Sequence, residues 1–445
     1  MVFSSVSFVC GFLVIVFALY SVIPSITAKN GLLIVASLAF YSVGEPTWVL
    51  LMVGSALFNY LCGLLIANRE KVKKPVLILC VCVNTGVLVL FKITPLTAIG
   101  ISFFTFQAMS YVIDVYRGTC PCQRNFFRLL LYISFFPQLI AGPIIKYHDM
   151  EAEIAERHQT MDDVYFGIRR FIIGLSKKVL IANTVAMTAD ALAESPGEIG
   201  TGGAWLLAIC YALQIYYDFS GYSDMAIGLS RMFGFHFKEN FMYPYAADSI
   251  KDFWRRWHIS LSTWFKEYVY IPLGGNRKGR VRTYVNKYIV FLLTGLWHGV
   301  SWNFVTWGLL HGTCSVLEET KLSVQRIRSR VIRTLITFVI CVCAFVIFRM
   351  EKLSEGLLIL RKMFVPAAAS VTGSMTCLSC LTPGLLIGLS CGILFMLPWY
   401  KGFTEKKRES VLWQGVSGVL CLGVLMLSLL TLASDAYNPF IYFRF

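Results

Sequence analysis

Charge is what this chain has least of. Only 15% of its 445 residues are Asp, Glu, Lys or Arg, against roughly 25% in an average soluble protein. With 57% of residues hydrophobic, there are too few charged side chains to clothe a water-facing surface, and a soluble globular fold is excluded. Histidine is scarce as well, with six in the whole chain. Several catalytic signatures are missing: there is no H-E-x-x-H zinc helix, no Walker A loop and no paired C-x-x-C site. No internal repeat marks an inverted-repeat transporter. The N-terminal MVFSSVSFVCGFLVIVFALYSVIP has no basic stretch ahead of it and is too long for a signal-peptide core. It is expected to be a retained first membrane helix.

What the chain has instead is a succession of apolar runs close to the ~20 residues that cross a bilayer. They lie near 5–25, 31–44, 47–66, 75–92, 98–115, 166–186, 204–226, 288–300, 302–318, 334–349, 384–400 and 411–433. The expected fold is an all-α polytopic membrane protein of about twelve transmembrane helices with added re-entrant or interfacial helices. It is expected to form a single membrane-embedded domain over 1–445, with peripheral helices in 1–97 and 334–433. Residues 126–146 are interrupted by Pro137 and Gly142-Pro143, and such backbone survives at membrane depth only under a cover of protein or water. Residues 252–275 are at once aromatic, basic and amphipathic, which suits an interfacial or re-entrant helix. Residues 350–383 read as a mixed-charge loop.

The net charge of +15 suggests nucleic acid at first. Its distribution argues against that partner. Lys and Arg gather between apolar runs, at Arg69–Lys74, Arg277–Lys287, Lys321–Arg333 and Lys401–Arg408, the pattern of cytoplasmic loops beside anionic membrane lipids. Both chain ends then fall outside. Most of the fourteen cysteines lie within apolar runs and read as small hydrophobes; no metal site is expected.

Ionisable groups within a membrane domain are costly and mark candidate sites. In TGLWHGVSWNFVTWGLLHG, residues 294–312, His298, Asn303 and His311 occur around a Gly299-Val300-Ser301 break. An imidazole is suited to take a proton from a hydroxyl near neutral pH. The competing interpretation is that each ring only bonds a neighbouring helix. A second cluster, DFWRRWHISLSTWFKEYVYIPLGGNRKGR, carries Trp254, Arg255, Arg256, His258 and Arg277. Its guanidinium forks suit a phosphate-bearing donor arm; the alternative is an aromatic-cationic membrane anchor. Asp218 and Asp224, in QIYYDFSGYSDMAIG, are expected to pair structurally with those arginines.

These stretches, together with GISFFTFQAMSYVIDVYRG, FFPQLIAGPI, GLSKKVLIAN and the terminal NPFIYFRF, resemble the bacterial membrane-bound O-acyltransferases, nearest their alginate O-acetyltransferase branch. The resemblance is collinear from about residue 98 to 312. It implies helices around a central tunnel in the inner membrane, and acyl transfer from a cytoplasmic thioester to a polysaccharide hydroxyl. It implies that His311 is the essential histidine and His298 the upstream tunnel histidine. No tightly bound cofactor is implied; the donor would be acetyl-CoA or an acyl-carrier thioester. A periplasmic SGNH-like partner would complete the transfer. Relatives acting in D-alanylation or peptidoglycan acylation share the same motifs, and a non-enzymatic transporter is the rival class.

Overall fold

The computed structural model describes residues 2–434, 437 and 438, apart from 95, 97, 141 and 401–409. The basic loop Lys401–Arg408 and most of the terminal NPFIYFRF motif therefore lie outside the described residues. Within them every regular element is helical. In chain order the helices begin with α1 (Leu13–Val22), α2 (Ile26–Gly44), α3 (Trp48–Asn68), α4 (Lys73–Ile93) and α5 (Ile101–Arg117). The broken run resolves into α6 (Phe126–Ser134) and α7 (Phe136–Leu139), followed by α8 (Tyr147–Ala155). Next come α9 (Met161–Ser176), α10 (Asn183–Ala193) and the 32-residue α11 (Thr201–Met232). Two short helices, α12 (Ile250–Arg256) and α13 (Ile259–Phe265), precede the pair α14 (Arg280–His298) and α15 (Trp302–Leu317). The chain continues through α16 (Arg330–Arg349), α17 (Leu353–Phe364), α18 (Val371–Cys380), α19 (Pro383–Phe395) and α20 (Val411–Ala433).

Among the described residues, six helices are long and apolar enough to cross a membrane, or seven if the bent pair α18–α19 counts as one span. The expected figure of about twelve treats every apolar run as a span. Several of those runs fold into shorter or more polar helices. In α5 the side chains of Ser102, Thr105, Gln107, Ser110 and Asp114 are all buried, so its polarity faces protein rather than lipid. Residues 350–383 are not a loop. Gly356, Ile359 and Met363 recur on one buried face of α17, the 3.6-residue pattern of an amphipathic helix, and the charges between them obscure it in the sequence.

The described residues cluster into two compact units, 1–174 with 222–239, and 175–221 with 240–445. In the first, rings from distant parts of the chain interlock: Phe3 stacks on Tyr222 at 4.6 Å and Phe12 meets Phe136 edge-on at 5.5 Å. The irregular backbone after α6 is sealed by protein, as its polarity requires. The Phe136 amide donates to the Ser37 hydroxyl at 3.0 Å, and the Tyr132 hydroxyl donates to the Ile145 carbonyl at 2.8 Å. Asp224 pairs with Arg170 at 2.7 Å.

In the second unit, Asp218 pairs with Lys178 at 2.8 Å, each side chain only 2% exposed. The two aspartates thus find Lys178 and Arg170, not the arginines of residues 252–280; helices remote in sequence supply the cations. The α14–α15 hairpin is drawn together by small residues. A Cβ on Gly295 would lie 2.3 Å from the Phe304 carbonyl oxygen, and one on Gly308 would lie 2.4 Å from that of Phe291. Such backbone proximity is the usual device for joining apolar helices where no water drives them together. The break between them falls at Gly299-Val300-Ser301, as the glycine there suggests.

Candidate active site

The hairpin places His298 at the end of α14 and His311 in the third turn of α15. Trp307, one helical turn before His311 and on the same face, contacts both rings. It meets His298 at 5.4 Å and His311 at 5.0 Å, edge-on in each case. His311 is 1% exposed. Phe253 and Phe291 lie nearly parallel to its ring, each 6.2 Å away.

The short helix α12 completes the enclosure. Its N-terminus is capped by the Ser249 hydroxyl, which accepts from the Asp252 amide at 3.0 Å. The Glu318 carboxylate, from the C-terminal end of α15, accepts from the amides of Ile250 and Lys251. An anion at a helix N-terminus satisfies orphan amides and opposes the helix dipole. This clasp fixes α12 to α15, and Trp254 is thereby held against His311, with its indole N–H donating to His311 Nδ1 at 3.3 Å. Beneath α12, Arg333 donates to Asp248 at 2.8 Å and holds that carboxyl below the usual carboxylate range.

His258 follows α12 with a left-handed backbone, φ +42°. That conformation is uncommon for a residue bearing a Cβ, though less so for histidine than for branched residues. It turns the ring into the protein, where it is 1% exposed. His258 Nδ1 lies 3.3 Å from Asn240 Oδ1. A narrow cavity of about 20 Å³ opens beside it, walled by Trp254, Trp257, His258, His298, Trp307 and Phe348 among others. This is room for about one water, so an acyl group enters only when the aromatic walls yield.

The expected site residues separate into two sets. His298, His258 and Trp254 wall the cavity, and His311 stands behind Trp254 and Trp307. Asn303 is engaged elsewhere: its amide donates to the carbonyls of Ile347 and Met350 at the end of α16, closing orphan acceptors of that helix. Arg255 and Arg277 are exposed, and Arg256 bonds Asp252 at 2.8 Å, one turn back on its own helix. The sequence-based interpretation of residues 254–258 as one surface patch thus corrects to a division, with Trp254 and His258 inward and the guanidinium groups outward. Trp307, Phe253, Phe291 and Asn240 were not anticipated as site residues. The first was legible as the i−4 neighbour of His311; Asn240 carried no signal, being separated from His258 by a helix.

The model of MBOAT, the membrane-bound O-acyltransferase family, matches residues 123–353. The chain is 37% identical to a probable alginate O-acetylase of Pseudomonas putida over 100% of both chains. It is 35% identical to a peptidoglycan O-acetyltransferase of Helicobacter pylori over 82% of this chain and 80% of that protein. Similarity to a teichoic acid D-alanyltransferase of Bacillus subtilis is 30%, over 48% of this chain and 56% of that one.

Proposed function

Since the chain belongs to the membrane-bound O-acyltransferase family, a family of multi-pass acyltransferases, we propose that it O-acetylates an extracytoplasmic polysaccharide of the alginate kind. The donor is a thioester presented from the cytoplasm, acetyl-CoA or an acyl carrier, and the protein resides in the inner membrane. An SGNH-like periplasmic partner carries the acetyl group onward to the polymer. The observation that carries the catalytic part is the Nε2 of His311, buried in an apolar box and without a partner among the described residues. A buried polar atom without a partner is expensive, and acyl transfer gives it one in the reacting complex. The full-length similarity to the alginate enzyme favours that acceptor over the peptidoglycan and teichoic acid alternatives.

In this reading the acceptor hydroxyl attacks the thioester carbonyl directly, and the thiol departs on the donor side. The exposed Arg255 and Arg277 offer charge to the donor's phosphates at the protein surface. The test is a strain deleted for this gene and complemented with wild type or His311→Ala. Esterified acetate on secreted uronic-acid polysaccharide should vanish on deletion and return only with the wild type. Normal acetate content with His311→Ala at a normal protein level overturns the catalytic assignment. Loss of acetate from peptidoglycan alone reassigns the acceptor.

A further inference from the structure

We propose that the rings of Phe345 and Phe348 on α16 set the length of the transferred acyl chain, admitting an acetyl group and excluding a propionyl, and that Asn303 is the positioning residue that holds them. The proposal deepens the acyl-transfer reading above and rests on it.

The cavity beside His258 is walled entirely by residues of the second unit. Trp254 and Trp307 both wall it and both touch the His311 ring, at 5.2 and 5.0 Å. Its volume of about 20 Å³ is room for one water, and a methyl group is of similar size. A chain longer by one methylene has to push a wall aside. The wall that resists therefore decides the length.

Two sides of the cavity are built differently. Trp254, Trp257, His258 and Leu261 come from α12, α13 and the turn between them, and each of these helices has seven residues. Helices so short have little stability of their own. Phe345 and Phe348 come from α16, a helix of 20 residues, and their i, i+3 spacing puts both on one face. The last turn of α16 is clamped from two directions. From α15, the Asn303 amide donates to the carbonyls of Ile347 and Met350, which bracket Phe348 in the chain. From α17, Gly356 comes so near that a Cβ there would lie 3.3 Å from Ile347 Cα. Retreat of this turn breaks the first contact or collides with the second.

The two rings are wedged as well. Phe345 lies 5.2 Å from Trp257, and Phe348 meets His298 edge-on at 4.9 Å and Trp307 at 5.2 Å. The α16 side is thus the fixed stop, and the α12–α13 side is the one that yields to the donor. Asn303 does not wall the cavity; it acts through the turn that carries Phe348.

The test measures transfer from acetyl-, propionyl- and butyryl-CoA into alkali-labile ester, in inverted membrane vesicles holding the full-length protein. The wild type should favour acetyl over propionyl by roughly 10–200-fold in kcat/KM, the range for one methylene in an apolar pocket. Equal values overturn the proposal. Phe345→Ala should reduce that preference by roughly 10-fold or more, through faster propionyl transfer, and the milder Phe345→Leu should shift it the same way by less. An unchanged preference in both overturns the assignment.

Ketone analogues of the acyl-CoA donors, with a methylene in place of the thioester sulfur, give a readout without turnover. Both Phe345 variants should bind the butyryl analogue more tightly, relative to the acetyl analogue, than the wild type does. Unchanged relative affinity refutes the stop even where a variant is inactive. Asn303→Leu, similar in size, releases the last turn of α16 and should also reduce the acetyl preference. An equal loss of acetyl and propionyl transfer would make Asn303 merely structural and overturn its part. No ester from the wild type with any of the three chains, on CoA or on an acyl-carrier protein, overturns the acyl-transfer reading itself; ester formed from all three alike overturns only the stop on α16.

Discussion

Two buried polar clusters in this chain differ in how fully their hydrogen-bonding capacity is used. In the first unit Asn59 and Asn84 face each other across α3 and α4. Their amides exchange hydrogen bonds of 3.2 and 3.0 Å, and each also donates to a carbonyl one turn back on its own helix. The Cys80 thiol donates to the Asn59 carboxamide oxygen at 3.2 Å. In the second unit His258 and His311 each use one nitrogen on the protein, and the other has no partner among the described residues. A saturated cluster holds helices together in a medium without water. An unsaturated one keeps a costly capacity in reserve, and substrate chemistry gives the reason for bearing the cost.

This difference can be broken experimentally. The largest effect is expected at His311. His311→Ala should lower acetyl transfer on the order of 1,000-fold, within the range for a positioned proton-transfer or oxyanion group, and leave thermal unfolding in detergent little changed. A large loss of thermal stability would make His311 structural after all. Next comes the Lys178–Asp218 ion pair, almost fully enclosed. Asp218→Ala removes the carboxylate that faces a buried ammonium and should destabilise by about 3–5 kcal/mol. Lys178→Met with Asp218→Leu should recover much of that, read as denaturation temperature.

Asn84→Leu comes third. Measured couplings between membrane helices suggest a loss of about 1 kcal/mol, with acetyl transfer per folded molecule unchanged; a fall in specific activity would place this cluster in the catalytic path. The smallest effect concerns acid. The hydrogen bond from Arg333 holds the folded pKa of Asp248 below the usual carboxylate range. Its contribution is therefore present above roughly pH 4 and is lost as pH falls through the folded value. Asp248→Asn should reduce stability at neutral pH by less than about 1 kcal/mol and flatten the acid limb of the stability profile. An unchanged acid limb would show that the Asp248–Arg333 pair contributes nothing.

Much of the architecture was legible in the sequence, because apolar periodicity and helix breakers act locally. The runs at 47–66, 75–92 and 411–433 correspond to α3, α4 and α20, and the glycine after His298 ends α14 where the pattern suggests. Pro137 lies in the first turn of α7 rather than interrupting a span, since its ring is tolerated there. The mixed charges of 350–383 concealed α17, whose apolar face is narrow. For the site, His298 and His311 were visible as imidazoles within apolar runs. Asn303 was misplaced because an amide in a helix gives no sign of which neighbour it will meet. His258 was read as part of a cationic patch because its left-handed backbone, which reverses the direction of its ring, leaves no trace in the residue types around it.

By itself, then, the sequence determined that this chain is a helical membrane protein with rare imidazoles in an apolar hairpin. Composition and local patterning suffice for that, since water and lipid act on each segment separately. The tertiary structure alone decided which ring nitrogen is engaged. That choice depends on whether an indole or a carboxamide from a distant segment arrives at the ring. The partners are brought there by the glycine-lined approach of α14 to α15, by the clasp of Glu318 on α12 and by Asn240 beyond the end of α11.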